Sequence, residues 1–336
     1  MRPSVALRHT APCQACRAVT SRSLSLASPA PAATSTTTPP PSSSTSTPAA
    51  DRRLPTLLAL LAVYVVWGST YLVMRIAVET LPPMLMGAIR FTIAGGVLLA
   101  WAGARGAAWP TARQWLGALP VGALLFVGGN GFVAIAEKEV SSGLAAVVCA
   151  TMPLWMAIFA SVTGERPSRR EWLGVGLGLG GVVVLVAGSE MAAAPLAAAI
   201  LCASPLAWAL GSLLSRRLAL APGLMAAASQ QLAGGLALAV VGLARGERLP
   251  PVSAVTFDTV WTVAYLIVFG SLIAFSAYAW LLRNTRPAVA TSYAFVNPAL
   301  AVLLGVVLGA EQVGVATVIA TPLIIAAVVL VVGRKR

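Results

Sequence analysis

From Leu54 to the end of the chain, apolar runs of about 17 to 24 residues recur with only short polar breaks between them, and each is long enough to cross a hydrocarbon core of about 30 Å as a helix. Ten such runs are legible, at approximately 55 to 77, 83 to 103, 114 to 135, 141 to 163, 171 to 188, 192 to 214, 222 to 243, 259 to 281, 288 to 309 and 313 to 332. With 58% of residues hydrophobic and only 10% charged, there are too few polar side chains to cover a soluble globule of 336 residues. The fold class predicted is all-α and membrane-integral, with ten transmembrane helices.

Loop charges then orient the helices. Arg52 and Arg53, Arg105 and Arg113, Arg166, Arg169 and Arg170, Arg216 and Arg217, Arg283 and Arg286, and Arg334, Lys335 and Arg336 all fall on one side. The other side receives only Lys138, Arg245 and Arg248, so the positive-inside rule, fourteen against three, puts both termini in the cytoplasm. An even number of crossings is required for that. The net charge of +13 is accounted for by these arginines, which sit singly or in pairs without a basic, aromatic-rich patch, so no nucleic-acid partner is expected. The partners implied are the lipid bilayer and a small-molecule solute.

Internal symmetry is the next signal. Trp67 and Arg75 in the first run are eight apart, as are Trp208 and Arg216 in the sixth. Pro83, Met86 and Ala94-Gly95-Gly96 correspond to Pro222, Met225 and Ala233-Gly234-Gly235. Pro153, Gly164 and Gly188 correspond to Pro298, Gly309 and Gly333, all offset by 145. Two halves of five helices, 54 to 188 and 192 to 333, therefore follow one template. Because five is odd, the second half enters from the opposite face, which gives an inverted repeat with its interface near the midplane. Pro153 and Pro298 withhold a backbone N–H from the carbonyl four residues earlier, so each is expected to break its helix beside a covered or water-lined space.

The stretches WGSTYLVMRIAVETLPPMLMGAIRF (67 to 91), GNGFVAIAEKEVSSGLAAVVCATMPLW (129 to 155) and LLRNTRPAVATSYAFVNPALAVLLG (281 to 305) carry a family resemblance. The chain resembles the drug/metabolite transporter superfamily, specifically its EamA-type ten-helix exporters and their bacterial YedA-like branch. The likeness covers essentially 54 to 333, with 54 to 188 and 192 to 333 as the two EamA repeats. It implies a multi-pass inner-membrane carrier that expels amino acids, related metabolites or toxic small molecules from a central cavity by alternating access. Nucleotide-sugar carriers belong to the same superfamily and stand as the alternative. Residues 1 to 50, rich in Ser, Thr, Pro and Ala, lie outside the likeness and cannot build a core. An organellar import signal, a disordered extension and a start codon placed too early all remain open for them.

Candidate solute contacts come from polar and aromatic residues inside the runs. Tyr293 and Asn297 share a helix face. Trp67 and Tyr71, with Ser69 and Thr70 between them, lie too deep for an interfacial aromatic belt. Trp155, Trp208 and Asn130 can line a cavity or pack against neighbouring helices. Asn297 can likewise simply bridge helices. Arg90 is the one charge clearly within a run. Such an arginine costs about 3 kcal/mol or more unless paired or hydrated, so it either binds a solute carboxylate or snorkels to the headgroups. Its repeat counterpart is Ser229, while Met152 and Val148 stand opposite Asn297 and Tyr293, so recognition leans on the second half plus Arg90. Arg75 reads as an ion pair with Glu79 one turn on.

Absences bound the chemistry. No Asp, Glu or His falls in the middle of a run, and His9 is in the tail. A buried proton relay is missing, so facilitated or weakly coupled export is expected, with Glu137, Glu139, Glu165 and Glu311 able to titrate only from the rim. The same lack of acids, bases and ligand clusters disfavours an intramembrane enzyme or an ion channel, and Cys13 and Cys16 alone make no metal site. No catalytic residue, metal or cofactor is expected. Glycines 174, 176, 178, 180 and 181 give the fifth helix a small-residue surface for packing within the bundle or against a second copy, so the protein is read as a monomer or weak homodimer.

Overall fold

Length and apolarity qualify eight helices to cross a membrane: α1 Arg53–Thr80, α2 Pro83–Ala104, α3 Ala112–Ala136, α4 Ser142–Phe159, α5 Arg169–Ala187, α6 Pro195–Leu214, α7 Leu224–Ala244 and α8 Phe257–Leu281. Two more, α9 Tyr293–Val307 and α10 Val315–Val332, carry shorter apolar stretches. These elements come from a computed structural model that describes residues 53–162, 168–285, 289 and 292–332. No strand occurs among the described residues. The tail at 1 to 50 and Glu165 lie outside them.

The helix limits have local causes. Pro83 opens α2 in the first turn, where its missing N–H is no loss. Thr111 with Gln114 and Ser168 with Glu171 form reciprocal capping boxes at the starts of α3 and α5. Two helices take their caps from a distance. Glu247 accepts from the backbone N–H groups of Met84 (3.1 Å) and Leu85 (3.0 Å) at the start of α2. Glu311 accepts from Ser142 N–H (3.0 Å) and Ser142 Oγ (3.0 Å) at the start of α4. A carboxylate at each N-terminus also complements the helix dipole.

Packing repeats across the halves. α2 lies along α7 and α5 along α10; α1 touches α8 and α9, while α6 touches α3 and α4. At the α2–α7 crossing the backbones nearly meet: a Cβ on Gly95 would lie 2.5 Å from the Leu232 backbone nitrogen, and one on Gly235 would lie 2.6 Å from that of Thr92. Part of the small-residue surface of α5 is used inside the chain, where Gly178 faces Leu154 and Ala327, and Gly181 faces Ile324, while a Cβ on Gly176 or Gly180 would meet no neighbour among the described residues.

Three helices loosen into π-type turns, at Val63–Trp67 in α1, Ala123–Gly131 in α3 and Leu266–Ala274 in α8. Such segments are frequent at functional sites. The two prolines behave differently from each other. α4 stops at Cys149 and resumes at Met152, so Pro153 sits in the first turn of a new segment. α9 instead runs through Pro298 without interruption, which corrects the expected break there: Ala294 loses one hydrogen-bond donor and the flanking bonds hold the helix.

Candidate functional site

The π-type segments of α1, α3 and α8, the break in α4, and α2, α6 and α9 enclose a cavity of about 100 Å³. On this measure a water takes about 10–15 Å³, so the space admits several waters or one compact solute.

One part of the wall is aromatic and centres on Trp67. Its ring meets Trp208 edge-on at 6.4 Å between centroids, and lies 5.0 Å from both Tyr278 and Tyr293. Offset and edge-on pairs of this kind each add about 0.5–1.5 kcal/mol beyond burial. The indole N–H of Trp67 donates to the Gly270 carbonyl at 3.2 Å. Trp208 lies against Gly129, where a Cβ would come within 2.5 Å of the ring. Each of the repeat-related tryptophans thus meets a glycine in a π-type segment of the opposite half, Trp208 by packing its ring on Gly129 and Trp67 by a hydrogen bond to the Gly270 carbonyl. The Trp208 ring is what requires glycine at 129, whereas at 270 a Cβ would meet the Arg90 guanidinium at 2.8 Å and Thr70 at 3.1 Å.

Opposite in character is the Arg90 side. Arg90 is 4% exposed and turns into the cavity, so it does not snorkel to the headgroups. Its Nε–H donates to Ser271 Oγ at 2.9 Å, and its guanidinium lies 4.6 Å over the Phe91 ring. Gln231 converges on the same residue, donating to the Ser271 carbonyl at 3.5 Å. No carboxylate pairs with Arg90 among the described residues. Asn297 is 5% exposed, lines the same cavity, and its amide oxygen has no hydrogen-bond partner. A buried amide acceptor without a partner among the described residues, beside a guanidinium held to Ser271 through its Nε–H, is what a polar solute with both donor and acceptor groups would satisfy.

Of the residues predicted from sequence, Asn297, Tyr293, Arg90, Trp67, Tyr71, Asn130 and Trp208 all line this cavity. Trp155 does not; beyond the break in α4 it packs on Phe159 at 6.5 Å. Met152, the counterpart of Asn297, lines the wall as its apolar face. Sequence reasoning missed Gly270 and Ser271, Ser204, Cys149 and the phenylalanines 126 and 275. The Gly-Ser pair inside the apolar run of α8 is the one signal that could have found the Arg90 partner.

Beside the cavity, at the turn between α3 and α4, lies a charged cluster. Arg75 pairs with Glu311 at 3.4 Å and donates to the carbonyl oxygens of Glu137 (3.3 Å) and Val140, so the expected pairing with Glu79 is corrected. Its helix face points to the α4 start, where fixed carbonyls and a carboxylate outcompete a mobile neighbour one turn away. Glu137 is 1% exposed and neither carboxyl oxygen has a hydrogen-bond partner among the described residues, so it is no rim residue. Burial pushes its carboxyl well above the usual carboxylate range, Glu311 adds to the rise, and Arg75 and Arg90 offset part of it.

The model of the EamA-like transporter family matches residues 54–187 and again 195–333, one match in each half. The inner membrane transporter YedA of Escherichia coli K12, which carries the label uncharacterized, is 43% identical over 283 residues, covering 84% of this chain and 92% of YedA. Protein PecM of Dickeya dadantii is 28% identical, covering 81% of this chain and 92% of PecM. A solved crystal structure aligns with a TM-score of 0.57 at 25% identity, covering 84% of this chain and 96% of the other. With a family model spanning both halves and a relative at 43% identity over most of its length, the chain belongs to the EamA-like transporter family.

Proposed function

We propose that this protein exports a compact organic solute bearing a carboxylate, an amino acid or related metabolite, across a bacterial inner membrane by alternating access around the cavity. The observation that carries the reading is Arg90, an arginine turned into a buried cavity without a carboxylate of its own among the described residues. A bidentate contact with a solute carboxylate supplies the missing partner. Asn297 then takes a donor group of the same solute, and the aromatic wall around Trp67 covers its apolar part.

Several features support the rest of the reading. The helix pairs of one half recur in the other, as an inverted repeat requires. The arginine-rich loops favour cytoplasmic termini. The relative YedA is named an inner membrane transporter. A cavity of about 100 Å³ with a single arginine argues against a nucleotide sugar, whose phosphates call for more positive charge and more room.

The test is a panel of labelled amino acids, neutral sugars and dyes, followed for flux through the purified protein in liposomes. Arg90→Ala should depress amino-acid flux far more than flux of neutral solutes, and Asn297→Ala should depress both. Wild-type flux in both variants would remove the site assignment.

A further inference from the structure

Glu137 caps the C-terminus of α3, immediately after Ala136 and one turn beyond Val133, which lines the cavity. It is among the most buried charged residues described, 1% exposed, and both carboxyl oxygens are without a donor among the described residues. Water is excluded, and the nearest cations are committed elsewhere: Arg75 to Glu311 and two backbone carbonyls, Arg90 to Ser271. An ionised carboxylate in such a place lacks both solvent and hydrogen bonds, whereas a neutral carboxyl is tolerated. The groups that face it are Tyr71 and Arg75 on α1, Arg90 on α2, Cys149 on α4 and Glu311 after α9. Lys138 and Glu139, next in the chain, are exposed.

We propose that Glu137 is a proton-binding site linked through Arg90 to the solute cavity, so that a proton on Glu137 and a carboxylate on Arg90 favour each other. The linkage is electrostatic. With the cavity empty, the Arg90 charge supports ionised Glu137 and opposes its protonation. A bound carboxylate neutralises that charge, and a hydronium proton from the solution on the side the solute enters binds one of the Glu137 oxygens as the site opens to it. By reciprocity, protonated Glu137 leaves Arg90 the stronger anion site. Solute and proton then leave the protein together as the net acid, down the solute gradient, and releasing the proton to water resets the site. The proton half stands on the burial of Glu137 alone; the solute half rests on the carboxylate reading of Arg90.

Infrared difference spectroscopy of the full-length protein in liposomes, without solute and with pH stepped through neutrality, tests the proton half. The wild type should show a protonated-carboxyl carbonyl band that disappears as pH rises. Glu137→Gln should lose this band. Arg90→Ala should move its midpoint to higher pH, and so decides the matter if Glu137→Gln fails to fold. A wild type with no such band, or a band that survives in folded Glu137→Gln, overturns the proton site. An unmoved midpoint in Arg90→Ala overturns the linkage. Acetate added as the probe should raise the wild-type midpoint and leave that of Arg90→Ala in place. If acetate does nothing while the band behaves as described, the carboxylate reading of Arg90 fails and the proton site stands.

Discussion

Glu311 should be the costliest single carboxylate to remove, because it fastens three parts of the chain at once. Its carboxylate accepts from the backbone N–H of Ser142 at 3.0 Å and of Gly143 at 3.4 Å, from Ser142 Oγ at 3.0 Å, and pairs with Arg75 at 3.4 Å. It is delivered there by a tight turn after α9 in which Ala310 adopts φ 49, a left-handed conformation that L-residues rarely hold. In Glu311→Ala, loss of the helix cap costs about 1 kcal/mol. The hydroxyl bond adds about 1 kcal/mol. The ion pair, with Arg75 32% exposed, is discounted to about 0.5–1 kcal/mol. The total is about 3 kcal/mol. Arg75 is not stranded, since the Glu137 and Val140 carbonyls still hold it. Glu311→Gln keeps an acceptor for the cap and loses mainly the ion pair, so it should cost only about 1 kcal/mol. Denaturation of the purified protein in mixed micelles, titrated with a harsh detergent, measures both. An alanine variant that costs less than the glutamine variant, or no more than it, would refute the assignment of Glu311 as a cap.

Removing the Glu311 charge also relieves Glu137, so Glu311→Gln should shift the Glu137 carboxyl band toward lower pH, the opposite of Arg90→Ala. Because native Glu137 holds its proton above the ordinary carboxylate value of 4.5, its contribution to stability is complete below that pH and is lost as pH rises through the native midpoint. Denaturation midpoints of the wild type should therefore fall with rising pH, and those of Glu137→Gln should fall less. Gly129→Ala places a methyl 2.5 Å from the Trp208 ring and should cost about 1–3 kcal/mol while shifting tryptophan emission; unchanged emission and stability would contradict the glycine seat. Trp155→Ala should leave solute selectivity as in the wild type whereas Trp67→Ala should alter it, and the reverse order in the flux panel would misplace the cavity.

What could be read from the chain was whatever a helix announces locally. Arg90 stood out because a charge inside an apolar run has few explanations, and Trp67 and Trp208 because their spacing to an arginine recurs. Their glycine partners were not legible. Gly129 sits in a run with several glycines, and only the crossing of α3 with α6 distinguishes it; Gly270 is the one glycine of its run, yet nothing local shows that Trp67, Arg90 and Thr70 converge on it. Glu137 looked like a rim residue because it follows the last apolar turn of α3. Its burial comes from Arg75 and from the chain after α9, brought over it by tertiary structure. The same holds for Arg75, whose neighbour one turn away was visible in sequence while its actual partner lies far along the chain. For Trp155 the sequence left cavity lining and packing open; α4 stops at Cys149 and restarts at Met152, and beyond that break Trp155 packs on Phe159.

The site combines a device used twice with anchors used once. Both tryptophans meet a glycine of the opposite half, but Trp208 packs its ring on Gly129 while Trp67 donates a hydrogen bond to the Gly270 carbonyl. Ser229, the counterpart of Arg90, turns its hydroxyl back to the Met225 carbonyl at 2.8 Å and offers the cavity nothing. Met152 offers only a thioether where its counterpart Asn297 offers an amide. If the halves exchange arrangements during transport, the two end states are consequently unequal. A solute bound by Arg90 and Asn297 contacts α2 and α9, one helix from each half, so its affinity changes whenever those helices move relative to one another. On the alternating-access reading proposed above, binding contacts placed on both halves, rather than duplicated within each, would let a symmetric scaffold hold its solute in one arrangement and release it in the other.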